Sequence, residues 1–77
     1  MNKIRRATLA TIAEQLDALK DELDAVREEE NDAFEALPEA LQEGDRGQAM
    51  QAAAEALEEA VDALQQALDS IQTAVEG

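Results

Sequence analysis

The sequence predicts an all-α protein. It reads as an antiparallel two-helix hairpin with a short helical turn in its connection, pairing with a second copy into a four-helix bundle. Three observations predict this. Two long stretches carry apolar residues at alternating spacings of three and four, the signature of a helix with one apolar face. Glycine and proline fall only within residues 38–47 and at the last position, so nothing breaks either stretch. The chain has 77 residues and no cysteine, so it forms a single domain, 1–77, that no disulfide can staple.

The first helix is expected over about residues 3–36. Its large apolar residues are Leu9, Ile12, Leu16, Leu19, Leu23 and Val26. Leu9, Leu16 and Leu23 take heptad position a, and Ile12, Leu19 and Val26 take d. Continued, the pattern reaches Glu30, Ala33 and Leu37, so a charge falls on the seam at Glu30, where the helix is expected to fray or bend. Leu37-Pro38 ends it, because a residue before proline is driven out of the α region. Pro38 suits the first position of a short helical turn at 38–43. Gly44 is read as that turn's C-terminal cap, and residues 44–47 as a loop. Asp45-Arg46-Gly47-Gln48 reads as a capping box, with the Asp45 carboxylate accepting from the Gln48 backbone N–H. The second long helix then spans about residues 46–76.

That second helix carries two parallel rows. Met50, Ala54, Leu57, Val61, Leu64, Leu68, Ile71 and Val75 form a large-residue seam. Beside it run Ala49, Ala53, Ala56, Ala60, Ala63, Ala67, Ser70 and Ala74. The apolar face is therefore wider than one partner helix covers. One hairpin would bury the large seam and leave the alanine row for self-association, giving a homodimer, or for docking onto a partner. Small side chains there permit close backbone approach.

The net charge is −13, from 19 acidic and six basic residues. Direct binding to nucleic acid or to an anionic membrane is disfavoured, and a basic partner is favoured. No stretch reaches the ~20 apolar residues of a membrane span, and the basic start is followed by no apolar run, so no secretory leader is read. On the first helix, positions b and f hold Glu14, Asp17, Asp21, Asp24, Glu28, Asn31 and Glu35, a stripe expected opposite the seam. Lys20 and Arg27 lie at e, off that stripe. Glu29, Glu30 and Asp32 thicken its C-terminal end, making Glu14, Asp17, Asp21, Asp24, Glu28, Glu29, Asp32 and Glu35 the candidate partner-binding residues. Between Asp17 and Asp45 there are 12 acids in 29 residues. In a helix that is one charge per ~3.6 Å of axis, near the ~3.4 Å of a nucleic-acid strand. Solvated faces ordinarily mix signs, because like charges at i,i+4 repel. Here Asp17–Asp21 and Asp24–Glu28 stack, and residues 47–77 hold no Lys or Arg.

Catalysis has few groups to work with. There is no His, Cys, Tyr or Trp, and the only serine, Ser70, lies in the alanine row without an activating base. Two long helices offer no cleft for a carboxylate pair. Neither the Glu-x-x-His of a di-iron bundle nor the glycine-centred loop of an EF-hand is present. An acyl carrier protein would place its Asp-Ser-Leu at the start of its second helix, whereas Asp69-Ser70-Ile71 lies near the end of a long one. The expectation is a non-enzyme without cofactor or metal.

A basic start (Met1-Asn2-Lys3 and Arg5-Arg6) precedes a Leu/Glu-rich helix that ends in Arg27-Glu28-Glu29-Glu30. There follow a Leu-Pro-Glu-x-Leu-Gln turn from Leu37 to Gln42, the Arg46-Gly47 stretch and an Ala-Leu-Glu-Glu-Ala repeat from Ala56 to Ala60. In this layout the chain resembles a group of short acidic phage and prophage proteins of unknown function. The resemblance implies a protein acting in the bacterial host cytoplasm on a basic, nucleic-acid-handling host protein, as an inhibitor of the anti-CRISPR or anti-restriction kind that presents carboxylates in place of phosphates. It carries no ligand-binding or catalytic residue across. A structural or assembly protein, whose charge only confers solubility, and an acidic antitoxin are the alternatives.

Overall fold

The computed structural model describes residues 1–77 and contains only helices. Helix α1 spans Lys3–Glu35, α2 spans Glu39–Gln42 and α3 spans Asp45–Glu76. The long helices pack antiparallel along most of their length, as the short connection requires. The molecule measures 58 × 15 × 12 Å. Its radius of gyration is 17.3 Å, against roughly 11.5 Å for a compact domain of 77 residues.

Helix α1 begins at Asn2, whose Oδ1 accepts from the Arg5 backbone N–H at 2.8 Å and so satisfies one of the orphan donors of the first turn. It runs unbroken through Glu30, contrary to the expected fraying. Glu30 is half-buried rather than projected into solvent.

The end of α1 is closed by a side chain from α2. Gln42 Nε2 donates to the carbonyls of Leu37 (3.0 Å), Phe34 (3.3 Å) and Glu35 (3.4 Å). These include carbonyls that the end of a helix leaves without partners. Pro38 is the N-cap of α2 rather than its first helical residue, with φ −55° and ψ 144°. Its carbonyl accepts from Leu41 and Gln42.

Two expected caps at residues 44–48 are replaced. Gly44 does not close α2 in a left-handed conformation: its φ is −82°, its backbone is extended, and it is the N-cap of α3. The capping box does not form. The helix starts one residue earlier than expected, so Asp45 lies inside the first turn, where its charge complements the helix dipole. Gln48 N–H donates to the Gly44 carbonyl at 3.0 Å, and Gln48 Nε2 donates to the Glu43 carbonyl at 3.3 Å.

Gly47 is the one buried residue of the chain. A Cβ there would collide with the Gln42 carbonyl and lie 2.6 Å from Gln42 Cα. The missing side chain lets α2 lie directly on the first turn of α3.

On α3 the large-residue seam is as expected: Met50, Ala54, Leu57, Val61, Leu64, Leu68, Ile71 and Val75 are all half-buried. On α1 the expected a/d seam is corrected. The half-buried residues are Leu9, Ala13, Leu16, Lys20, Leu23, Arg27, Glu30, Phe34 and Leu37, with Asp24 beside them. These are positions a and e. The d residues Ile12, Leu19 and Val26 are 38%, 54% and 50% exposed. The rotation has a physical reason. An a/d seam would put Ala33 at its end and leave Phe34, the only aromatic residue, outside. The a/e setting brings Phe34 in, fits Ala13 against α3, and lays the aliphatic stems of Lys20 and Arg27 along it with their charged heads outward. No hydrophobic residue is fully buried. The hairpin therefore has a half-covered seam and no closed core.

Candidate protein-interaction surface

The rotation of α1 divides the hairpin into two unlike sides. At 3.6 residues per turn, position b lies roughly 80° to one side of an a/e seam and position d roughly 80° to the other. The acidic stripe therefore borders the groove between the helices rather than lying opposite the seam, where the heptad positions predict it. The row Ile12, Leu19, Val26 borders the other groove.

The first groove is lined by Ala13, Glu14 and Asp17 from α1 and by Gln65, Leu68, Asp69 and Gln72 from α3. Three carboxylates face it. Farther along the same side, Lys20 Nζ donates to Gln65 Oε1 at 2.6 Å. Asp62, Glu58 and Glu55 continue the acidic edge of α3 towards the connection, all exposed. Glu58 is near enough to Arg27 to help hold its charge.

Of the stripe residues on α1, Glu14, Asp17, Asp21, Glu28, Glu29, Asp32 and Glu35 are exposed and Asp24 is half-buried. Lys20 and Arg27 are not off the stripe in space. Lys20 Nζ lies 3.7 Å from Asp17. Arg27 Nε donates to Asp24 Oδ1 at 2.8 Å, and its Nη2 lies 3.7 Å from Glu28. The Asp24 hydrogen bond, opposed in part by desolvation, holds the Arg27 guanidinium above its ordinary range. Sequence spacing missed this because both long side chains sit at e, next to b on the helical wheel, and reach across. Glu14, Asp21, Glu29, Asp32 and Glu35 form no ion pair. Glu29 and Asp32 occupy g and c, so they carry the acidic surface round the end of α1 rather than extending the stripe in line. No three acidic side chains converge closely enough to hold a metal ion.

The second groove is apolar. Leu19, Leu23 and Val26 of α1 and Leu64 of α3 line it, with Glu22 at its edge. Leu64 belongs to the row of α3 that adjoins the alanines, whereas Leu68 belongs to the row that adjoins Gln65, Asp69 and Gln72. The alanine row is therefore on the same side of the hairpin as Ile12, Leu19 and Val26. Ala49, Ala53, Ala56, Ala63, Ala67 and Ala74 are exposed, and Ala60 is half-buried. No helix is long and apolar enough to cross a membrane.

Comparison of the chain with protein-family models, with curated proteins and with solved structures finds no match in any of the three.

Proposed function

We propose that this chain is a non-enzymatic, phage-encoded interaction protein whose acidic side binds a basic, nucleic-acid-handling host protein in the bacterial cytoplasm. It acts there as an inhibitor or nucleic-acid mimic of the anti-CRISPR or anti-restriction kind. It works as a homodimer, with the apolar sides of two hairpins packed together as a four-helix bundle and the acidic sides outward. One observation carries the reading: acids from both long helices border a single groove, Glu14 and Asp17 from α1 and Asp69 from α3. Charge spent only on solubility has no need to gather on one side. Carboxylates so placed suit Lys and Arg clusters, which they meet through charge-assisted hydrogen bonds.

The test is capture of partners from the native host at two salt concentrations. The expected partner binds nucleic acid, is lost steeply as salt rises, and is displaced by DNA or RNA. Reversal of Asp21, Asp24 and Glu28 to lysine is expected to abolish capture. Capture that survives both the salt and the triple reversal would refute the acidic side as the binding surface. The exposed apolar side favours a second reading, an assembly protein, for which the captured components would be those of a particle and insensitive to salt.

A further inference from the structure

We infer that the second copy packs on the apolar side in one register, antiparallel, with Leu19 and Ala67 both on the two-fold axis and the two connections at opposite ends. This rests on the self-association proposed above and specifies its geometry.

The chain exposes 5567 Å², whereas a folded monomer of 8.3 kDa exposes roughly 4,600 Å². The surplus, about 1,000 Å², is close to the ~800 Å² that each partner gives to a standard specific interface. A second copy is the occupant that covers it symmetrically.

Lys20 meets Gln65, and Asp17 and Asp69 line one groove. Leu19 is therefore level with the turn at residues 66–67. Leu19 is the middle of Ile12, Leu19 and Val26, and Ala67 lies at its level in the row Ala53, Ala60, Ala67 and Ala74. One axis through that level pairs Leu19 with Leu19 of the second copy, Ile12 with its Val26, Ala67 with its Ala67, and Ala60 with its Ala74. Helix α1 then packs on α1 through branched side chains, and α3 on α3 through alanines that allow a closer approach. A single axis satisfies both rows, which heptad spacing in each helix does not by itself require.

With the connections at opposite ends, the Lys3, Arg5 and Arg6 end of α1 lies beside the Glu29 to Glu35 end of the second copy. Arg5 occupies the d row itself, level with Ala33 of that copy. Glu22 falls beside Gln15 of the second copy. With the connections at the same end, the acidic ends of both copies would gather at one end of the bundle, where like charges in proximity carry a cost.

The chain lacks cysteine, so single cysteines report the register directly, since a disulfide requires Cα atoms within ~7 Å. Leu19→Cys and Ala67→Cys are expected to give disulfide-linked dimers on mild oxidation. Ile12→Cys alone is expected to give none, whereas Ile12→Cys mixed with Val26→Cys gives the hetero-dimer. Efficient linking of Ile12→Cys to itself would show parallel copies or an antiparallel pair shifted by a heptad, and either would overturn the register. So would a failure of Leu19→Cys to link in a protein that sediments as a dimer, which leaves self-association standing. A monomer by sedimentation overturns both. Neither result bears on whether the acidic side binds a basic protein.

Discussion

Lys20 and Gln65 form the one side-chain hydrogen bond that crosses from α1 to α3, at 2.6 Å. Both residues border the same groove, Lys20 at e on α1 and Gln65 next to the acids of α3. The bond thus marks the acidic side and sets the level at which the helices meet. Everything on the far side of the seam, from Leu19 and Val26 to the alanine row, follows from that rotation.

The contact of α2 with α3 depends on Gly47. Gly47→Ala places a Cβ against the Gln42 backbone, and overpacking of this kind costs about 1–3 kcal/mol. At roughly 4–8 °C per kcal/mol for a domain this small, Tm is expected to fall by at least several degrees when unfolding is followed by circular dichroism. Gly44→Ala is the control. Its Cβ would meet the Leu41 carbonyl at an ordinary 3.6 Å, and its φ of −82° suits alanine. Equal losses from the two variants would contradict this account of Gly47.

Gln42 closes α1 with its carboxamide. Gln42→Leu keeps the aliphatic bulk and removes the donors to Leu37, Phe34 and Glu35. A hydrogen bond of this kind contributes about 0.5–1.5 kcal/mol. Hydrogen exchange of residues 33–37 is expected to accelerate before that of the middle of α1. Unchanged exchange there would show that the carboxamide is dispensable.

Acids outnumber bases by 13 on a thin hairpin, and only Asp17, Asp24 and Glu28 have ion-pair partners. Self-repulsion therefore opposes the fold. Salt shortens its range to about 10 Å at 0.1 M, so the thermal midpoint is expected to rise between low and moderate NaCl. A fall would mean that the few ion pairs outweigh the repulsion.

Leu16 and Leu19 are three residues apart on α1 and face different surroundings. Leu16 is half-buried against α3, whereas Leu19 is 54% exposed. Leu16→Ala is expected to destabilise the helix pair itself, by up to the ~2–5 kcal/mol of a leucine truncation in a full core and less here because the seam is only half covered. Leu19→Glu is expected to leave helicity at high concentration intact and to remove the dependence of Tm on protein concentration that an oligomer shows. The reverse pattern would restore the a/d seam.

Much of the fold was legible in the sequence. Pro38 and the two heptad patterns give three helices with ends within a residue or two of those observed, and the α3 seam follows from eight residues spaced alternately by four and three. The rotation of α1 was not legible. Counting large apolar residues selects d, because Ile12, Leu19 and Val26 look like core and Lys20 and Arg27 do not. The pull of Phe34 and the burial of aliphatic stems under charged heads decide otherwise, and neither appears in a count. The role of Gly47 was not legible for a similar reason: it is set by the Gln42 backbone, five residues away and held close by the fold. The acidic residues were legible as a stripe, and their place beside the groove, opposite the apolar side, was not.

The hairpin has one acidic side and one apolar side, and the proposed second copy covers the apolar one. Sedimentation equilibrium of the unmodified chain at micromolar concentration and moderate salt tests the pairing most directly. The predicted result is a species of twice the 8.3 kDa chain mass that Leu19→Glu reduces to a single chain. A stable single chain from the unmodified protein would contradict it.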